Sequence, residues 1–145
     1  MKRAVIDASI VLEWYLPDEE FGERALGLLN RYISDDLVFM APSLLEYEVL
    51  NGLVIAGRRG RIQEEKINSA IEGFLHLGIT LVNLSELYFK VGHYCKTYNG
   101  SAYDAAYLAL ANGEGIPLIT ADEGMYNSVK KNLSWVKWLG AINSN

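Results

Sequence analysis

The sequence predicts an α/β fold built on a mostly parallel sheet. Three observations carry this. Short apolar runs alternate with helical patterns along the whole chain. The 145 residues suit one domain with a sizeable core. Half of them are hydrophobic and 21% are charged, a composition that argues against extended disorder. The single domain is expected to span residues 1–145, with no repeat and no linker.

Residues 4–6 (Ala-Val-Ile) read as a short buried strand ending at Asp7. A helix over 9–16 stops at Pro17. Asp18 is placed to cap a helix over 19–34, and 37–40 form a second strand. Ser43 and Glu46 have capping-box spacing, opening a helix to about Gly57. A basic connector, Arg58, Arg59, Gly60 and Arg61, leads to a helix over 63–77. Gly78 ends it, and 79–82 make the third strand. After a helix over 85–96, Ser101 caps a helix over 102–112, which Gly113 and Gly115 terminate. Residues 116–120 form the fourth strand, with Pro117 marking a sheet edge or the strand's first residues. A short helix and a strand-like run over 135–139 follow.

Composition narrows the function. A net charge of −5 argues against a protein that grips nucleic acid over its whole surface. The lone Cys95 excludes an intrachain disulfide, lies in an apolar helical pattern and fits a cytoplasmic location. The start, Met-Lys-Arg-Ala-Val-Ile, imitates a signal peptide only until Asp7, and no apolar run reaches membrane-span length.

Four acids stand apart from those of the solvated faces. Asp7 and Asp122 follow the first and fourth strands, where ligands of parallel sheets bind; each also fits a helix N-cap. Asp104 shares a helical stripe with Tyr107, Leu108 and Ala111, and the helix dipole alone would favour it there. Glu48 sits in mid-helix among Leu44, Leu45, Gly52 and Ile55. An ion pair with an arginine is the alternative for it. Carboxylates gathered at one sheet edge repel one another, and a hard divalent ion such as Mg²⁺ or Mn²⁺ resolves the repulsion. His76, His93 and Cys95 lack zinc-site spacing. Acids holding such ions hydrolyse phosphodiesters. No Gly-x-Gly-x-x-Gly or Walker lysine loop competes. Asp7-Ala8-Ser9 also lacks the second aspartate of a haloacid-dehalogenase phosphatase.

These segments resemble the PIN-domain family, and within it the VapC-type toxins. The matching pieces are Val5-Ile6-Asp7-Ala8-Ser9, Ala41-Pro42-Ser43 through Glu48-Val49-Leu50-Asn51, Tyr103-Asp104-Ala105-Ala106-Tyr107-Leu108-Ala109, and Leu118-Ile119-Thr120-Ala121-Asp122. The resemblance implies a three-layer α/β/α sandwich and a Mg²⁺-dependent endoribonuclease, with Mn²⁺ as substitute. It makes Asp7, Glu48, Asp104 and Asp122 the metal-binding and catalytic acids, with Ser9 and Thr120 orienting ligands or water. Glu46 is the competing choice for the helix acid. The resemblance also implies an RNA substrate, a homodimer and a small VapB-type antitoxin. Rival readings are an RNA-processing PIN nuclease without antitoxin, a catalytically silent metal- or RNA-binding module, and a phosphomonoesterase.

Two further features touch the substrate. Arg58, Arg59 and Arg61 are the densest basic cluster, either contacting RNA phosphates or forming a solvated connector. Trp14, Tyr15, Trp135 and Trp138 are expected to pack in the core, with stacking on bases or antitoxin docking as alternatives.

Overall fold

A computed structural model describes residues 2–142. The described residues form five strands and seven α-helices. They are β1 (Lys2–Ile6), α1 (Ala8–Tyr15), α2 (Gly22–Ile33), β2 (Leu37–Pro42), α3 (Leu45–Arg58), α4 (Glu64–His76) and β3 (Thr80–Val82). Then come α5 (Tyr88–Tyr98), α6 (Ala102–Glu114), β4 (Leu118–Thr120), α7 (Glu123–Val129) and β5 (Val136–Trp138).

All strand pairings are parallel, in the order β3-β2-β1-β4-β5. The chain therefore lays β2 and β3 on one side of β1, then returns to lay β4 and β5 on the other. The switch point lies between β1 and β4, where Val5 pairs with Leu118 and Ile6 with Ile119. Ligands of parallel sheets bind at such a point, beyond the carboxyl ends of the strands. Central strands of such a sheet are covered on both faces. Accordingly Val5, Ile6, Phe39 and Leu118 are fully buried.

Helices α1 to α4 pack in sequence, α1 against α2 and α3, and α3 against α4. Helix α6 lies across β1, β2 and β4 with α5 beside it. Right-handed crossovers place these two groups on opposite faces. Residues 105–111 of α6 are all buried, so this helix is apolar nearly all round. Gly52 of α3 lets α1 approach closely: a Cβ there would meet Leu12 Cδ1 at 2.6 Å.

Several local expectations need correction. Pro117 marks no edge; it lies just before β4, an inner strand, and its carbonyl accepts from the Val5 N–H at 2.8 Å. Ser43 does not cap α3. The helix starts at Leu45 after a turn, without a side-chain cap, so Glu48 lies in its first turn rather than at mid-helix. Asp18 does not cap α2, which starts only at Gly22; the aspartate pairs with Arg61 instead. Gly113 lies inside α6, and Gly115 ends it with φ of +67°. The Ser101 cap is present, its Oγ accepting from the Asp104 N–H at 3.1 Å. Trp14 packs inward on Phe39 and donates from Nε1 to the Ala25 carbonyl at 2.8 Å. Tyr15 is half-buried against Gly73. Trp135 stands edge-on to Tyr94, and Trp138 edge-on to Phe21 and Tyr126. His76 and His93 are exposed, and Cys95 is half-buried against the core.

Candidate active site

The site begins where β1 ends. Asp7 is the N-cap residue of α1 by position, but its carboxylate makes no capping hydrogen bond. Two hydroxyls hold it instead. Ser9 Oγ donates to Oδ1, and Thr120 Oγ1 donates to Oδ2 at 2.5 Å. Each hydroxyl has one proton to give. Both protons are committed to Asp7, so each hydroxyl oxygen serves elsewhere as acceptor. Ser9 Oγ takes the Ala121 N–H at 2.8 Å, and Thr120 Oγ1 takes the Asp122 N–H at 3.0 Å. This network ties the end of β1 to the end of β4. Thr120 is completely buried and Asp7 nearly so.

Asp122 does cap α7, with Oδ1 accepting from the Met125 N–H at 3.1 Å. It is exposed. Asp104 is half-buried in the first turn of α6, next to the buried run that includes Tyr107 and Leu108. Glu48 is half-buried in the first turn of α3, and its Oε1 accepts from the Tyr107 hydroxyl at 2.5 Å. Glu46 goes elsewhere, to a small cleft with Phe74, Leu75 and Ile79.

Electrostatics joins the four acids. Burial pushes the Asp7 carboxyl up to about 6; the Ser9 and Thr120 hydroxyls oppose this, and the Asp122 charge adds to it. Asp104 is raised by burial and then by Asp122. Glu48 is raised by burial, with Tyr107 lowering it and Asp104 raising it. Coupling thus runs from Asp7 to Asp122, Asp122 to Asp104, and Asp104 to Glu48. Among the described residues none of the four is in an ion pair. Nor do three of them close around one point as a finished metal cage. The donors form a string of like charges, all oxygen, with no ion-pair partner among the described residues. Such a set suits a hard divalent ion.

Tyr107 is the residue that sequence reasoning missed. It was placed on the apolar stripe of α6, and its ring is indeed buried. Burial and Glu48 both push its phenol far up, so the hydroxyl remains a donor. A buried tyrosine seeks a polar partner, and that rule was the available signal. Glu13 was also missed. It is 6% exposed, and its Oε2 accepts from the Phe21 N–H at 3.1 Å. It lies on the buried side of α1, away from the four acids by its partners.

The basic cluster divides. Arg61 donates to Asp18 from Nε and Nη2 at 2.9 and 2.8 Å, and to Glu19 Oε1 at 2.8 Å. Its charge is largely answered. Arg58 and Arg59 are exposed and have no ion pair among the described residues. They lie ten or so residues beyond Glu48, roughly 15 Å along the helix.

Comparison with known proteins agrees with this architecture. Residues 4–131 match the PIN domain. The chain is 29% identical over 124 residues to ribonuclease VapC3 of Pyrobaculum aerophilum, covering 83% of this chain and 89% of that one. The crystal structure of PAE2754 from Pyrobaculum aerophilum superposes with a TM-score of 0.64 at 20% identity, covering 96% and 92% of the two chains. That of Mycobacterium tuberculosis VapC20, a sarcin-ricin loop cleaving toxin, gives 0.61 at 14% identity, covering 86% and 94%. Strand-end acids at the switch point, the parallel sheet and the match over most of the length lead to one assignment: the chain belongs to the PIN-domain family.

Proposed function

We propose that the protein is a divalent-metal-dependent endoribonuclease, the toxin of a VapC-type toxin–antitoxin pair. The observation that carries this is the uncompensated string Asp7, Asp122, Asp104 and Glu48 at the switch point. Its similarity to ribonuclease VapC3 supports RNA as substrate.

Asp7, Glu48, Asp104 and Asp122 would hold the ion, Mg²⁺ or Mn²⁺, by their carboxylate oxygens. When bound, it supplies Lewis-acid activation of a phosphoryl oxygen and of water. The chain itself supplies preorganisation. Ser9 and Thr120 each commit their only proton to Asp7, which fixes both carboxylate oxygens while leaving lone pairs for a ligand. The Ala121 and Asp122 N–H groups lock those hydroxyls in turn. Asp122, the exposed one of the four, is the acid that an entering phosphodiester meets first. Arg59, and with it Arg58, is the source of positive charge for the RNA strand.

Partners follow from the same reading. A VapB-type antitoxin and a second copy of the chain both require exposed apolar surface. Tyr88 and Tyr103, 65 and 64% exposed, line an apolar groove between α5 and α6, and Phe89, the residue after Tyr88, is 98% exposed. Among the described residues no helix is long and apolar enough to cross a membrane. The location consistent with an RNA target is the cytoplasm.

The test uses purified, antitoxin-free protein with labelled RNA oligonucleotides and, separately, a chromogenic phosphate monoester. Cleavage of RNA in Mg²⁺ or Mn²⁺, stopped by EDTA, is expected. Faster turnover of the monoester would instead indicate a phosphatase. Metal binding without any cleavage would indicate a silent module.

A further inference from the structure

The four acids are not equally held. Asp7 is fixed by two hydroxyls and Asp122 by its own helix cap. Glu48 has a longer side chain and a helix start without a side-chain cap. Among the described residues its carboxylate has one side-chain partner, the Tyr107 hydroxyl. Tyr107 lies three residues from Asp104 on α6, so the two side chains share a helix face. Helices α3 and α6 otherwise share little contact. The phenol is therefore the link that sets an acid from one helical layer against an acid from the other.

We infer that Tyr107 is a positioning residue for the metal site, holding Glu48 by Oε1 and leaving Oε2 for the ion. A free glutamate would lose side-chain rotamer freedom each time it bound an ion. The hydroxyl fixes it beforehand, and preorganisation of this kind sets affinity. The tyrosine ring, 1% exposed, is anchored by the core and cannot follow the carboxylate outward. The inference rests on the reading of Glu48 as a metal ligand.

The experiment is direct Mn²⁺ binding, followed by electron paramagnetic resonance, on the full chain. Wild type, Tyr107→Phe, Glu48→Gln and the double variant are compared, with far-UV spectra and melting curves as controls. Tyr107→Phe keeps the ring and removes one oxygen. It is expected to weaken Mn²⁺ binding about 10-fold. Saturating Mn²⁺ should then restore RNA cleavage close to the wild-type rate. The double variant should bind no more weakly than Glu48→Gln alone, because the phenol acts through Glu48. An unchanged Mn²⁺ affinity in Tyr107→Phe, whatever its melting temperature, reduces the tyrosine to packing and overturns the inference. Additive losses in the double variant also overturn it. A wild type that takes up no Mn²⁺ overturns the metal reading and this inference together.

Discussion

Two groups of carboxylates lie on this molecule, and they are treated in opposite ways. At the start of the α1–α2 connection, Asp18 and Glu19 share the forked guanidinium of Arg61. This holds the Asp18 carboxyl below its usual range. At the switch point Asp7, Asp104 and Glu48 are raised by burial and by neighbouring acids, with no ion-pair partner among the described residues. A surface cluster answered within the chain is ordinary structure. One left unanswered at the carboxyl edge of a parallel sheet is, on the proposed function, where an ion that the chain does not itself provide would bind.

The contrast is broken most sharply at Asp7. Asp7→Asn should lower metal-dependent RNA cleavage more than about 100-fold while leaving the far-UV spectrum unchanged. A variant retaining a tenth of the activity would remove Asp7 from the site. Glu48 and Glu46 come next, two residues apart on α3 but facing different surroundings. Glu48→Gln should lose about 10-fold or more in the same assay, and Glu46→Gln should stay near wild type. A reversed order would exchange their roles.

Glu13 belongs to neither group cleanly. Burial pushes its carboxyl up to about 7, and the Glu19 charge adds to this. The folded value lies above the unfolded one, so the native state holds the extra proton. This contribution to stability is complete at low pH and is lost as pH rises from about 4.5 to about 7. Glu13→Gln should therefore melt higher than wild type at pH 8, by about 1 kcal/mol of stability. The gain should vanish near pH 4.5. A variant that loses more stability at pH 8 than near pH 4.5 would show that the charged form is the favoured one.

The smallest effect separates the arginines. Arg59→Ala should reduce the dependence of RNA binding on salt by a log–log slope of about 0.7. Arg61→Ala should leave that slope unchanged, because its guanidinium already serves Asp18 and Glu19. Equal changes in both would mean that RNA displaces the Arg61 pairs.

Much of this was legible in the chain itself, and the reasons are physical. Strand-end acids are visible because a short apolar run ends abruptly at Asp7, and again two residues before Asp122. The Ser101 cap was legible because its hydrogen bond is local. The Ser43 and Asp18 caps failed because tertiary demands displaced them: Ser43 enters a turn after β2, and Asp18 meets Arg61 from 43 residues away. The burial of Glu13 carries no sequence signal, because nothing local shows that its side of α1 is covered. The Tyr107–Glu48 bond spans 59 residues and two helical layers, so no periodicity reports it.

On the proposed function the switch-point acids take up a divalent ion. The direct measurement is the melting temperature of wild type and Asp7→Asn against increasing Mn²⁺. An ion that binds only the folded state stabilises it, by about 2.7 kcal/mol at 100 times its Kd, or about 9 °C for a domain of this size. Wild type should rise by that amount and Asp7→Asn should stay nearly flat. A flat wild type, or an equal rise in the variant, would contradict the account.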